Sequence, residues 1–211
     1  MRDNIQIYAT VSIIMRVSQV VHNSRIYGPG QRTVIWTQGC SIRCTGCWND
    51  KLWDFNGGDI MSAEQLVHST IENNDVGLTI LGGEPLDQAE ETLRLIEHCH
   101  SKGLDIMVYT GYEMDELKES KLKCVETADI VIIGRYVDSL RSEELLWRGS
   151  TNQKIIWNST IPPEIDLSER RQTEIHFDSK GKVKILGYPS EKTLTELEKR
   201  HGRLRSLTRD I

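Results

Sequence analysis

The chain has 211 residues, enough for one domain with a well-buried core. Lysine and arginine number 26 against 31 aspartates and glutamates, which leaves no basic field of the kind that holds nonspecific nucleic acid. No apolar run is long enough to cross a bilayer, and residues 1–20, interrupted by Arg2, Asp3 and Arg16, show no small-residue cleavage site after a hydrophobic core.

Taken in order, residues 5–17 and 33–37 are rich in β-branched and aromatic side chains and read as strands on either side of Tyr27-Gly28-Pro29-Gly30, a turn by composition. A polar, glycine-rich connection, Trp53 to Gly58, leads to Ser62-Ala63-Glu64-Gln65, a capping-box pattern, and a helix is expected from there to about Asn74. Residues 76–81 read as a buried strand that stops at Gly82-Gly83-Glu84-Pro85. A helix with Ala89, Leu93, Ile96 and Cys99 on one stripe follows, and Gly103 is placed to end it. Residues 106–109 are another strand, 113–120 a short helix and 130–133 a further strand. This alternation implies an α/β fold with a parallel sheet, either an open or partial (β/α) barrel or a doubly wound sheet. Beyond residue 160 the pattern changes to a hairpin, residues 174–177 and 182–186 joined by Asp178-Ser179-Lys180-Gly181. A helix then begins near Leu194 and ends in a solvated basic tail with Arg200, Arg203, Arg205 and Arg209.

Of five cysteines, Cys40, Cys44 and Cys47 crowd one short segment, while Cys99 and Cys124 stand alone in helical stretches. Three thiolates so close together are a metal site. Structural zinc takes four protein ligands from two separated pairs, and a conventional iron–sulfur cluster takes four cysteines. This segment offers three. A cubane held by three would leave one iron open to a substrate or cofactor; a zinc knuckle with its fourth ligand elsewhere is the competing reading. Thiolate ligation needs a reducing compartment, so the expected location is the cytoplasm. The six histidines have no ligand spacing, and His98 and His100 read as exposed helix residues.

Several stretches together resemble a known family. They are Gly28-Pro29-Gly30-Gln31-Arg32, the CxxxCxxC run with Trp48-Asn49, Trp53 to Gly58, Gly82-Gly83-Glu84-Pro85, Thr110-Gly111-Tyr112, and Leu146 to Gln153. Across residues 14–156 the chain is similar to radical S-adenosylmethionine (SAM) enzymes, and within them to the activases of anaerobic (class III) ribonucleotide reductase. The resemblance implies a partial (β/α) barrel of radical SAM type over residues 1–158, with residues 159–211 a hairpin-and-helix addition packed on it. It also implies that Cys40, Cys44 and Cys47 hold a [4Fe–4S] cluster whose fourth iron SAM chelates.

Cleavage of SAM would then yield methionine and a 5′-deoxyadenosyl radical, and the catalytic groups would be the cluster and SAM alone. Implied cofactor contacts are Trp48, Asn49, Gly82, Gly83, Glu84, Thr110, Arg135 and Asn152. The glycines would let backbone approach a ligand, and Glu84 would sit beside the SAM ammonium, although an ordinary tight turn also explains this stretch. Trp48 would flank the adenine, unless it is a core tryptophan. Implied partners are a glycyl-radical enzyme, the anaerobic ribonucleotide reductase, and a reduced flavodoxin or ferredoxin-type electron donor, with no membrane and no nucleic acid. A peptide or small metabolite as substrate, and a non-catalytic metal-binding module, are the alternatives. The chain departs from the family at Ile133, where an acidic residue is common before the glycine, and in continuing past Ile156.

Overall fold

The computed structural model describes residues 14–142, 144–159, 173–177 and 183–187, with Lys192, Thr195, Glu196 and Lys199. The chain runs β1 (Ile14–Ser24), β2 (Arg32–Thr37), β3 (Asp59–Ser62), α1 (Ala63–Glu72), β4 (Gly77–Gly82), α2 (Ala89–Ser101), β5 (Asp105–Thr110), α3 (Glu119–Thr127), β6 (Ile130–Ile133), β7 (Lys154–Trp157), β8 (Thr173–Phe177) and β9 (Val183–Gly187). Seven strands form one sheet in the order β3, β1, β2, β4, β5, β6, β7. Its middle four are parallel, whereas β1, β3 and β7 run antiparallel to their neighbours.

Side-chain alternation divides the sheet into two faces. Ile35, Leu78, Ile80, Ile106, Val108 and Val131 form one, and Leu66 and Val67 of α1, Leu95 and Ile96 of α2, and Cys124 and Val125 of α3 cover it. Val34, Trp36, Leu81, Met107, Tyr109 and Ile132 form the other, which the loop around Tyr27, the segment at Trp147 and Leu186 of β9 cover instead. α1, α2 and α3 therefore lie on one face while the parallel strands advance in one direction. That is single winding, so the doubly wound alternative is excluded. The sheet ends at β3 and β7 and does not close.

The capping box at Ser62 and Gln65 forms as expected and starts α1, which ends at Glu72. Two expected elements differ. The first strand, described from Ile14, runs on past Val17 to Ser24, with Val21 continuing the buried pattern of Met15 and Val17; the expected stretch over residues 5–13 lies outside the described residues. The helix expected over 113–120 is only a single turn at Met114–Glu116, broken where buried Leu117 goes extended, and α3 follows from Glu119. His98 is half-buried, and exposed His100 is tied to Asp129 at 2.9 Å, an acid that also accepts from the Ile106 N–H. The hairpin forms, β8 pairing antiparallel with β9. Of the tail, Lys192, Thr195, Glu196 and Lys199 are helical, and the four arginines lie outside the described residues.

Arg32 ties the first parallel strand to its surroundings. Its side chain is fully buried and donates to Thr79 Oγ1 at 2.9 Å, Leu78 O at 2.9 Å and Pro29 O at 3.0 Å. Asp105 Oδ1 lies 2.6 Å from Nη1, a close charge contact without hydrogen-bond alignment. Truncating Arg32 leaves those carbonyls unmet and Asp105 without its counter-charge. Arg32→Ala is expected to cost on the order of 3 kcal/mol, read as a lower denaturant midpoint at an unchanged slope.

Candidate metal and cofactor centre

The C-terminal ends of the four parallel strands carry the chemistry. The cysteine loop follows β2, Gly83-Glu84 follows β4, Gly111 follows β5 and Gly134 follows β6. Parallel pairing in register, with Thr37 opposite Gly82, brings these ends together. One cleft is lined by Cys40, Cys44 and Cys47 together with Glu84, Thr110 and Gly134. Active sites gather at this end of parallel α/β folds because strand ends converge there while the loops stay free to vary.

The cysteine loop is held shape-first. Gly39 N–H donates to Leu52 O at 2.8 Å and Cys40 N–H to Trp53 O at 3.3 Å, closing the loop on its own return. Asp87 accepts from Ser41 N–H at 2.6 Å, Ser41 Oγ at 2.9 Å and Tyr112 Oη at 2.7 Å, fixing the loop from the β4 and β5 sides. Sequence reasoning passed over Asp87. The signal available was its place three residues after Glu84, in the turn that opens α2.

Burial pushes the Cys40 thiol up to about 11 and raises those of Cys44 and Cys47. Backbone N–H groups oppose this: Arg43 N–H points at Cys40 Sγ at 3.5 Å and Asn49 N–H at Cys47 Sγ at 3.4 Å. Iron displaces the thiol protons on binding, and N–H groups aimed at sulfur then stabilise the thiolates.

The donor set fits a cluster. Three sulfurs line one cleft, and Trp53 carries a buried indole N–H with no aligned acceptor beside Cys47, whose thiolate form that N–H favours. Asn49 lines the same cleft; its Nδ2 donates to Gly82 O at 3.2 Å while its Oδ1 is buried without a partner. A ligand donor in the cleft would satisfy it.

The Gly-Gly-Glu stretch lines the cleft and also has a structural cause of its own. A Cβ on Gly83 would lie 2.1 Å from the Gly39 carbonyl oxygen, and one on Gly82, at φ +121, would lie 2.4 Å from the Thr37 nitrogen. The backbone these glycines admit is the root of the cysteine loop. Gly83 N–H donates to Thr37 O at 2.9 Å and Glu84 N–H to Gly39 O at 2.8 Å.

The Glu84 side chain, 2% exposed, then bridges strands. Its Oε1 accepts from Leu86 N–H at 2.9 Å and Thr110 Oγ1 at 2.8 Å, and its Oε2 from Gly111 N–H at 2.8 Å. A carboxylate has about four acceptor positions, so one remains. Burial, outweighing these hydrogen bonds, raises its pKa from the usual 4.5 to about 7.

The remaining expected residues divide. Thr110 lines the cleft, but its hydroxyl is engaged, donating to Glu84 and accepting from Tyr112 N–H at 3.1 Å. Half-buried Trp48 lines the cleft and is no core residue, with Arg141 over its ring at 4.7 Å.

Arg135 and Asn152 are not brought into the lining. Arg135 forks onto Glu116 at 2.6 and 2.7 Å, and Asn152 Nδ2 donates to Arg135 O at 2.8 Å. The Arg135 charge still favours the Cys44 thiolate. Gln153, which does line the cleft, fastens Gly149 N–H at 2.7 Å to Gly134 O at 3.0 Å. Ile133 packs in the helix-covered layer, where an acid would have no partner to match.

Residues 26–156 match the model of the 4Fe-4S single cluster domain family. An anaerobic ribonucleoside-triphosphate reductase-activating protein from Salmonella typhimurium is 32% identical over 150 residues, which is 67% of this chain and 97% of that protein. The chain belongs to this activase family. Proteins of the same name from Haemophilus influenzae and Enterobacteria phage T4 are 36% and 32% identical, covering 62% and 64% of this chain and 90% and 88% of theirs. The crystal structure of QueE from Escherichia coli superposes with a TM-score of 0.40 at 15% identity, over 56% of this chain and 68% of that one. The match to the 4Fe-4S single cluster domain takes in the cysteine loop, Gly82 to Glu84 and Thr110, and ends before β8.

Two outcomes follow from this geometry. Gly83→Ala forces a methyl against the Gly39 carbonyl, so the loop is displaced and iron bound per chain after anaerobic reconstitution should fall by more than half. For the metal-free chain, the folded state holds more protons than the unfolded one between pH 4.5 and about 7. Stability from Glu84 is therefore full below 4.5, declines as pH rises through about 7 and is level above it. Unfolding midpoints measured across that range should show this decline, and Glu84→Gln should remove it.

Proposed function

We propose that this chain generates a glycyl radical on an anaerobic ribonucleotide reductase, with Cys40, Cys44 and Cys47 as the ligands of a [4Fe–4S] cluster. When bound, the cluster supplies one electron to SAM, whose carbon–sulfur bond breaks to give methionine and a 5′-deoxyadenosyl radical. The protein's own part is to hold and to exclude. Gly83 and Glu84 seat the cysteine loop, and the spare acceptor position on Glu84 receives an ammonium from the ligand. Asn49 Oδ1 takes a second donor, and Trp48 covers one side. The hydrogen atom comes from a backbone glycine of the partner, the electron from a reduced flavodoxin or ferredoxin-type protein, and the reaction belongs in the cytoplasm. Among the described residues no helix is long and apolar enough to cross a membrane.

One observation carries this reading: three cysteines and a Gly-Gly-Glu turn from separate strands line a single cleft. The hairpin also reaches that cleft through Gly187, which favours a peptide or small metabolite as the second choice of substrate.

The test is anaerobic reconstitution with iron and sulfide, then SAM, reductant and the reductase. Methionine, 5′-deoxyadenosine and a glycyl radical signal on the reductase are expected. Turnover with no such signal, and deuterium reaching 5′-deoxyadenosine from a labelled small molecule, would move the assignment to the second substrate class. Cys40→Ala, Cys44→Ala and Cys47→Ala should each abolish SAM cleavage. Cys99→Ala, deep in the α2 core and away from the cleft, should retain it.

A further inference from the structure

The hairpin of β8 and β9 lies beyond the family match, which ends at residue 156. It is docked all the same. Leu186 is fully buried with Tyr27, Trp36 and Leu81 on the helix-free face of the sheet. Glu174 accepts from Ser24 Oγ at 2.8 Å and from Arg25 N–H at 2.6 Å, gripping the end of β1. At the same end of the hairpin, where Thr173 pairs with Gly187, the Gly187 N–H donates to Tyr27 Oη at 2.8 Å. Tyr27, in turn, stands edge-on to Trp36 with ring centres 5.4 Å apart.

These contacts end at the cleft. Gly187, Tyr27 and Leu81 line the same cavity as the three cysteines, and Tyr109 and Trp147 complete an apolar, aromatic stretch of it. We infer that the C-terminal hairpin is a wall of the SAM site in this chain, and that it sets SAM affinity without setting cluster loading. The inference rests on the SAM-cleaving reading above.

The two functions separate because their supports are separate. The cysteine loop is fixed through Gly39, Ser41, Asp87 and Glu84, none of them in the hairpin. The hairpin holds the Tyr27 side. A flat, apolar wall with a few backbone donors suits the nucleoside part of SAM, whose ring needs contact area more than charge. Shorter relatives, matched over 97% of their own length in one case, leave a third of this chain without a counterpart.

The experiment uses the full chain with two substitutions made separately. Leu186→Asp places a charge against Tyr27, Trp36 and Leu81 and expels β9. Glu174→Ala removes the grip on Ser24 and Arg25 while leaving the apolar contact. Iron per chain and equilibrium binding of SAM to the reconstituted protein are measured for both and for the parent. Parental iron content is expected in each, with the SAM dissociation constant raised roughly tenfold by Leu186→Asp and by a smaller factor for Glu174→Ala.

SAM affinity unchanged in both variants overturns the wall. Iron lost in step with SAM also overturns it, because the hairpin would then be general support for the fold. Should Leu186→Asp fail to fold, Glu174→Ala decides alone. A parent chain that loads iron yet binds no SAM defeats the SAM-cleaving reading itself, an outcome visible before any variant is compared.

Discussion

The whole site hangs on one close approach of backbone to backbone. Where β4 ends, Gly83 passes so near Gly39 that even a methyl group could not stand between them, and the Glu84 amide donates to the Gly39 carbonyl at 2.8 Å. That contact joins the start of the cysteine loop to the neighbouring strand end. Protein interiors tolerate little overlap, so a contact this tight fixes position to a few tenths of an ångström. The cysteines inherit that position. Leu52 and Trp53 close the loop from its return side, and Asp87 fastens it from α2, so three independent ties locate a segment with no regular structure of its own.

Single winding decides what lies above and below. With α1, α2 and α3 on one face, the helix side of the sheet is a sealed apolar layer in which Cys99 and Cys124 are ordinary core residues. α1, α2 and α3 leave the other face to a cover improvised from the Tyr27 loop, the Trp147 segment and the hairpin. Backbone groups in these pieces find hydrogen bonds singly, through Gln153, Glu174 and Tyr27. A cover assembled from separate pieces is one in which a single piece can be changed without disturbing the sheet.

Much of this was legible in the sequence, and the failures have physical causes. The CxxxCxxC run, the capping box at Ser62, the four parallel strands and the hairpin were all written in local pattern. The antiparallel edge strands β3 and β7 were not foreseen: Asp59–Ser62 and Lys154–Trp157 are four residues each, too short for periodicity to declare them. Arg135 and Asn152 were sound candidates by motif. In the structure neither lines the cleft, and Glu116 meets the Arg135 fork. Gly82 and Gly83 were expected for close approach to a ligand; their approach to Thr37 and Gly39 was not foreseen, because which loop a turn packs upon is a tertiary fact.

Glu84 shows how packing and chemistry meet in one side chain. Its donors come from α2's opening turn and from the end of β5, so the carboxyl stitches two strand ends together and exhausts three of its four acceptor positions doing so. Burial disfavours its charge, while every donor around it favours that charge. The opposition leaves the group able to change protonation near neutrality when its surroundings change by a single charge. A cation at the one open acceptor position would tip it to the ionised form and strengthen the bonds to Thr110 and Gly111. The ends of β4 and β5 would then stiffen together, with the cysteine loop held through the Glu84 amide at the other end of the same residue.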